Sequence, residues 1–149
     1  MRLLVAVDGT PDSDRALDHG LTLARAAGAE LVLVHAVQPA VDEETAPEPV
    51  SGPAEVGDRL VMESTAEAEE RGAGVLDSAA DRIDGDDVEV GRELVYGPPA
   101  EAIPEFAERT SADGILVGHR DLSEEHERLL GSVAKQLIER SSVPVTVVR

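Results

Sequence analysis

Residues 2–11 read Arg2-Leu3-Leu4-Val5-Ala6-Val7-Asp8-Gly9-Thr10-Pro11, and this stretch decides the fold class. Arg2 to Val7 reads as a strand apolar on both faces, which only a sheet buried on both sides requires. Asp8-Gly9-Thr10-Pro11 is then a sharp corner from strand to helix. Thr10 suits the N-cap, and Pro11 suits the first helical position, where its missing N–H costs nothing. Beyond the corner, Ala16, Leu17, Gly20, Leu21, Ala24 and Ala27 share one helical face, and Gly28 ends the helix.

The same alternation continues outward. Glu30 to Val37 reads as a second strand. Gln38-Pro39 opens an acidic, proline-bearing stretch through Gly57, long enough for a mobile loop to be expected at 38–57. Asp58 to Ile83 carries a helical pattern, with Gly72 and Gly74 each weakening it by about 1 kcal/mol, so a bend or break is expected there. Asp84 to Asp87 is a turn and Val88 to Val95 an outer strand. Gly97-Pro98-Pro99 leads into a helix in which Pro104 implies a late start or a kink. Gly114 to Val117 is a fourth strand, Gly118 to Leu130 a polar loop, Ser132 to Arg140 a last helix and Val143 to Val148 a last strand.

Strands alternating with helices predict an α/β domain: a doubly wound, five-stranded parallel sheet with right-handed crossovers and helices on both faces. Winding that reverses once leaves a crevice at the carboxyl ends of the strands, where ligands bind. With the first strand central and the fourth beside it, Asp8 and Gly118 form the two lips of that crevice.

Composition narrows the function. The 149 residues, 42% hydrophobic, suffice for one buried core, and the absence of cysteine excludes disulfides, thiolate metal sites and cysteine catalysis. The longest apolar runs are strand-sized, far below the roughly 18 residues of a membrane span. The chain starts directly on a core strand, which predicts no signal peptide and a cytoplasmic location. Acidic residues number 31 against 13 basic ones, a net charge of -18, and Lys135 is the one lysine. Such a chain repels nucleic acid, and one Tyr and one Phe offer little base stacking. The same charge points to a protein adapted to concentrated salt, where a Debye length of about 3 Å at 1 M screens self-repulsion.

The loop after the fourth strand carries the strongest local signal for binding. Gly118 and Gly131 allow close backbone approach, and the N–H groups of Ser132, Val133 and Ala134 at a helix start suit an anion. Read locally, Gly118 can equally just turn the chain and Ser132 just cap the helix. The four histidines, His19, His35, His119 and His126, match no familiar zinc spacing, so no protein-only metal site is expected. No nucleophile–base pair or carboxylate pair is placed by motif for catalysis. A flavin would want more aromatics than Tyr96 and Phe106. A phosphoryl-accepting receiver would want a lysine after the last strand, and Lys135 lies in the last helix.

Five blocks in order resemble the universal stress protein family over nearly the whole chain. They are Leu3 to Thr10, Gly97 to Ile103, Ala112 to Gly118, Leu129 to Ala134 and Val143 to Val148. The resemblance implies strand order 3-2-1-4-5, homodimers paired through the last strand at 143–148, a role in stress response and, in one branch, ATP with magnesium in the crevice. Slow ATP hydrolysis or autophosphorylation is also within the family's range. That branch is marked by glycine, two residues, glycine, nine residues, then glycine and serine or threonine. Gly118, Gly131 and Ser132 fit it, while Asp121 replaces the second glycine. Two like charges 4 Å apart at an effective dielectric of 20 repel by about 4 kcal/mol, so Asp121 and the acidic Glu124, Glu125 and Glu127 weaken the case for ATP. They leave room for a less charged nucleotide such as AMP, or for an interaction module with no nucleotide. Arg120 can reach a phosphate, and Val133 can offer its N–H. Asp8 matches the position whose carboxylate lies by the nucleotide sugar or its magnesium; read locally, it can be an Asx turn or a helix-entry acid. Ala6, Val7 and Val37 match positions flanking adenine, and read locally they are core residues.

Overall fold

The computed structural model describes residues 1–38, 64–83, 87–119 and 130–149. The first strand, β1 (Arg2–Ala6), is fully enclosed at its centre, with Leu4 and Val5 both 0% exposed. Its two edges are covered by neighbouring strands. β1 pairs in parallel with β2 (Glu30–Val37) on one side and β4 (Gly114–Gly118) on the other. β3 (Val90–Tyr96) adds to β2, and β5 (Val145–Val148) adds to β4, giving a five-stranded parallel sheet in the order 3-2-1-4-5.

Four helices cover this sheet among the described residues: α1 (Pro11–Ala27), α2 (Thr65–Arg82), α3 (Pro99–Arg109) and α4 (Ser132–Arg140). Side chains alternate along each strand, so they sort into two cores. Leu3, Val5, Leu31 and Leu33 pack with α1 and α2. Leu4, Val32, Val34 and Ile115 pack with α3 and α4, around Ile103, Phe106 and Leu137.

The corner after β1 forms as the residue types require. Thr10 is extended and its hydroxyl accepts from the Ser13 N–H at 3.3 Å, Pro11 opens α1, and Gly28 closes it at φ +63°. Gly20 lets α1 sit directly on the sheet, since a Cβ there would lie 2.8 Å from Val5 Cγ2.

Several boundaries differ from expectation. β1 ends at Ala6, although the Val7 N–H still donates to the Val34 carbonyl at 2.9 Å. α2 begins at Thr65, since Ser64 and Glu67 close a reciprocal capping box. It then runs unbroken through both glycines. Gly72 faces the sheet, where a Cβ would meet His35 and Leu94 at 2.8 and 3.0 Å; Gly74 faces open space. Only the first of the two has a packing reason. α3 also starts without delay and carries Pro104 inside it, on a buried face. β3 runs from Val90 to Tyr96, slightly later than expected. β5 starts at Val145 because a turn precedes it, in which Ser141 Oγ donates to the Val143 carbonyl and accepts from the Val143 N–H. The expected loop at 38–57 lies, apart from Gln38, outside the described residues. No described helix is long and apolar enough to cross a membrane.

Candidate functional site

At the carboxyl ends of β1, β2 and β4 the sheet opens into a cavity of about 230 Å3. Its base is apolar: Ala6, Val34, Ala36 and Val117 from the strands, Ile103 from α3 and Val133 from α4. These belong to the α3/α4 side of the sheet. One wall is polar and comes from the β1–α1 corner, through Asp8, Thr10, Asp12 and Ser13. Val7, His35, Pro99, Gly118 and Ala134 also line it, and no lysine or arginine contributes among the described residues.

The polar wall is held by its own hydrogen bonds. One oxygen of Asp8 accepts from the Thr10 N–H at 2.9 Å and from the Thr10 hydroxyl at 2.5 Å. Gly9 takes φ +82° to close this Asx turn. The Asp8 N–H donates to Ser13 Oγ at 3.3 Å. Asp12 is buried at 8% exposure and pairs with Arg15 within the first turn of α1.

Of the helix starts that border the cavity, those of α1 and α4 differ in what they offer. α1 has Pro11 at its first position, acids Asp12 and Asp14 in its first turn, and its Ser13 N–H already bonded to Thr10. That end is unsuited to an anion. α4 begins after Gly131, which is buried and extended at φ -60° and gives no side-chain cap. Its first turn has no acid, and its first intrahelical bond runs from the Lys135 N–H to the Gly131 carbonyl. The N–H groups of Ser132, Val133 and Ala134 therefore precede the helical ladder, where the positive end of the dipole lies.

The residues singled out from sequence thus fall into three groups. Ala6, Val7, Asp8, Gly118 and Val133 meet at the cavity. Gly131 and the exposed Ser132 stand at the start of α4, outside the lining, and Arg120, like Asp121, lies outside the described residues. Val37 is also absent from the lining: it is buried, and its carbonyl accepts the Gly97 N–H at 3.0 Å where β3 ends. From β2 the lining is carried by Val34, His35 and Ala36 instead. Thr10, Asp12 and Ser13 escaped notice as site residues because the sequence gives them full employment as a helix start. Ile103 and Pro99 come from a helix whose docking no local pattern reveals.

Gly118 has a definite steric role. A Cβ there would sit 2.5 Å from the Asp12 carbonyl oxygen and 2.6 Å from its carbon, both backbone atoms. The glycine therefore lets the end of β4 touch the first turn of α1. Of the histidines, His19 is exposed, His119 is buried, His126 lies outside the described residues, and His35 bonds the Val7 carbonyl through Nδ1 at 2.8 Å. No group of three or more metal-ligating side chains occurs among the described residues.

The sequence profile of the universal stress protein family matches residues 1–149. The chain belongs to this family. Among its relatives in the family, universal stress protein YxiE of Bacillus subtilis is 30% identical over 148 residues, spanning 99% of this chain and 98% of that protein. The crystal structure of a universal stress protein in complex with cAMP superposes with a TM-score of 0.70 at 26% identity, covering 100% of this chain and 97% of that one. A universal stress protein family member from Burkholderia pseudomallei gives a TM-score of 0.68 at 29% identity, covering 99% and 94% of the two chains.

Proposed function

We propose that this universal stress protein is a cytoplasmic regulator that binds an adenine nucleotide, ATP or AMP, in the cavity at the ends of β1, β2 and β4. One observation carries the reading: an apolar slot opens directly onto a helix start that has no side-chain cap and no acid. A planar base suits the slot, and a phosphate suits the N–H groups of Ser132, Val133 and Ala134. The relative crystallised with cAMP supports the ligand class. In this reading Ala6, Val7 and Val133 flank the base and sugar. Asp8 lies toward the sugar or a nucleotide-bound magnesium, and Gly118, Arg120, Gly131 and Ser132 border the phosphates. The protein works as a homodimer through the strand at 143–148 and in concentrated salt, which screens the net charge of -18.

A second reading is an interaction module of the same fold without nucleotide. It is favoured by the carboxylates of Asp8 and Asp12 in the polar wall and by the lack of a basic lining residue among those described. One experiment separates the two. The protein is purified in molar salt with magnesium and denatured, and released small molecules are identified by chromatography and mass spectrometry. The emptied protein is then titrated with ATP and with AMP. Released or titratable nucleotide supports the first reading; neither release nor binding at millimolar nucleotide refutes it and leaves the second.

A further inference from the structure

Among the described residues of the cavity, His35 has a side chain that ties two strands together. Backbone pairing between β1 and β2 ends at Ala6 with Val34, just where β1 turns away into the Asp8 corner. Val7 is nevertheless held to β2 twice. Its N–H donates to the Val34 carbonyl at 2.9 Å, and its carbonyl lies 2.8 Å from His35 Nδ1. A carbonyl can only accept, so Nδ1 carries the proton and the ring donates. The opposite side of the ring is confined by α2, because a Cβ on Gly72 would fall 2.8 Å from His35 Cδ2. The imidazole is therefore wedged between a helix backbone and the last residue before the corner. That corner, through Asp8, Thr10, Asp12 and Ser13, is the polar wall of the cavity.

We propose that His35 is a positioning residue: its Nδ1–H fastens the exit of β1 to β2 and so holds the β1–α1 corner in the shape that forms the cavity wall. The consequence for ligand affinity rests on the nucleotide reading above; the holding of the corner does not. Two substitutions separate the hydrogen bond from the bulk of the ring. In His35→Asn the amide nitrogen takes the place of Nδ1 and can still donate to Val7. In His35→Leu a side chain of comparable size has no donor.

The test has two arms, both on the full chain in molar salt. The first follows amide hydrogen exchange at Asp8, Thr10 and Ser13 without ligand, with amides of α4 as the internal reference. His35→Leu is expected to raise exchange at the corner about tenfold, the worth of one net hydrogen bond, while His35→Asn stays within about threefold of wild type. Unchanged corner exchange in His35→Leu, or equal loosening in His35→Asn, overturns the proposal. The second arm titrates AMP and ATP. His35→Leu is expected to bind about tenfold more weakly, with affinity restored in His35→Asn. Wild-type affinity in a His35→Leu protein with a loosened corner overturns the link from corner to ligand. A wild-type protein that binds neither nucleotide refutes the nucleotide reading, and the exchange arm still judges His35.

Discussion

Replacing Gly118 with alanine tests whether this glycine serves the fold or a ligand. The new Cβ would lie 2.5 and 2.6 Å from the carbonyl oxygen and carbon of Asp12 and 2.9 Å from its Cβ. Two of these are main-chain atoms, so no flexible side-chain end can move aside. Gly118 is also absent from the positive-φ glycines, which are Gly9, Gly28 and Gly97, so the cost is steric and involves no backbone strain. Relief requires either the end of β4 or the first turn of α1 to shift. α1 is itself pinned at Gly20 against Val5. Overpacking of this kind costs about 1–3 kcal/mol, partly offset by about 0.4–1 kcal/mol from the stiffer unfolded chain. For a chain of this size 1 kcal/mol corresponds to roughly 2–4 °C in Tm. Mid-range values of about 2 and about 0.7 kcal/mol leave roughly 1.3 kcal/mol, so thermal unfolding followed by circular dichroism at fixed salt should show Gly118→Ala melting about 3–5 °C below wild type. An unchanged or raised Tm would refute the steric argument. If that stable variant also lost nucleotide binding, Gly118 would instead be a residue that makes room for ligand.

Three further outcomes follow from the same structure. Gly74→Ala should stabilise by up to about 1 kcal/mol through helix propensity, because nothing lies within 4 Å of the added carbon. Gly72→Ala should forfeit that gain against His35 and Leu94, so equal melting temperatures for the two variants would count against the packing. Tyr96 is the one tyrosine, and its hydroxyl donates to Glu69 at 3.1 Å, which, with some desolvation and the nearby charge, raises its pKa above the ordinary 10.0. Its ultraviolet titration should have a midpoint above 10.0 that falls back in Glu69→Ala; no change between the two proteins would show that the contact does not hold in solution. Finally, Tm should rise as KCl is raised toward 1 M. Screening of a net charge of -18 outweighs the loss of exposed pairs such as Arg92–Asp77 and Arg140–Glu101, each worth only about 0–1 kcal/mol. A flat or falling Tm would remove the case for salt adaptation.

The sequence alone determined the alternating elements and the parallel sheet with its reversed winding. Those features rest on local quantities: apolar runs of strand length, a threonine–proline helix start, glycine stops and side chains alternating every second residue. The winding also placed Asp8 and Gly118 at the lips of the crevice, and the start of the last helix singled out the Val133 N–H, whereas Ala6 and Val7 were pointed to by the family resemblance alone. Only the tertiary structure decided between readings that were locally equal. Asp8 is an Asx-turn acceptor because Thr10 folds back onto it, and the Asp12 carbonyl in the first turn of α1 lies where a Cβ on Gly118 would stand. Val34, His35 and Ala36 line the cavity, while Val37 beyond them is buried where its carbonyl accepts the Gly97 N–H. Gly72 packs while Gly74 does not, although both weaken α2 equally by propensity. Each of these depends on what arrives from a distant part of the chain, and close approach between distant segments leaves no trace in local spacing.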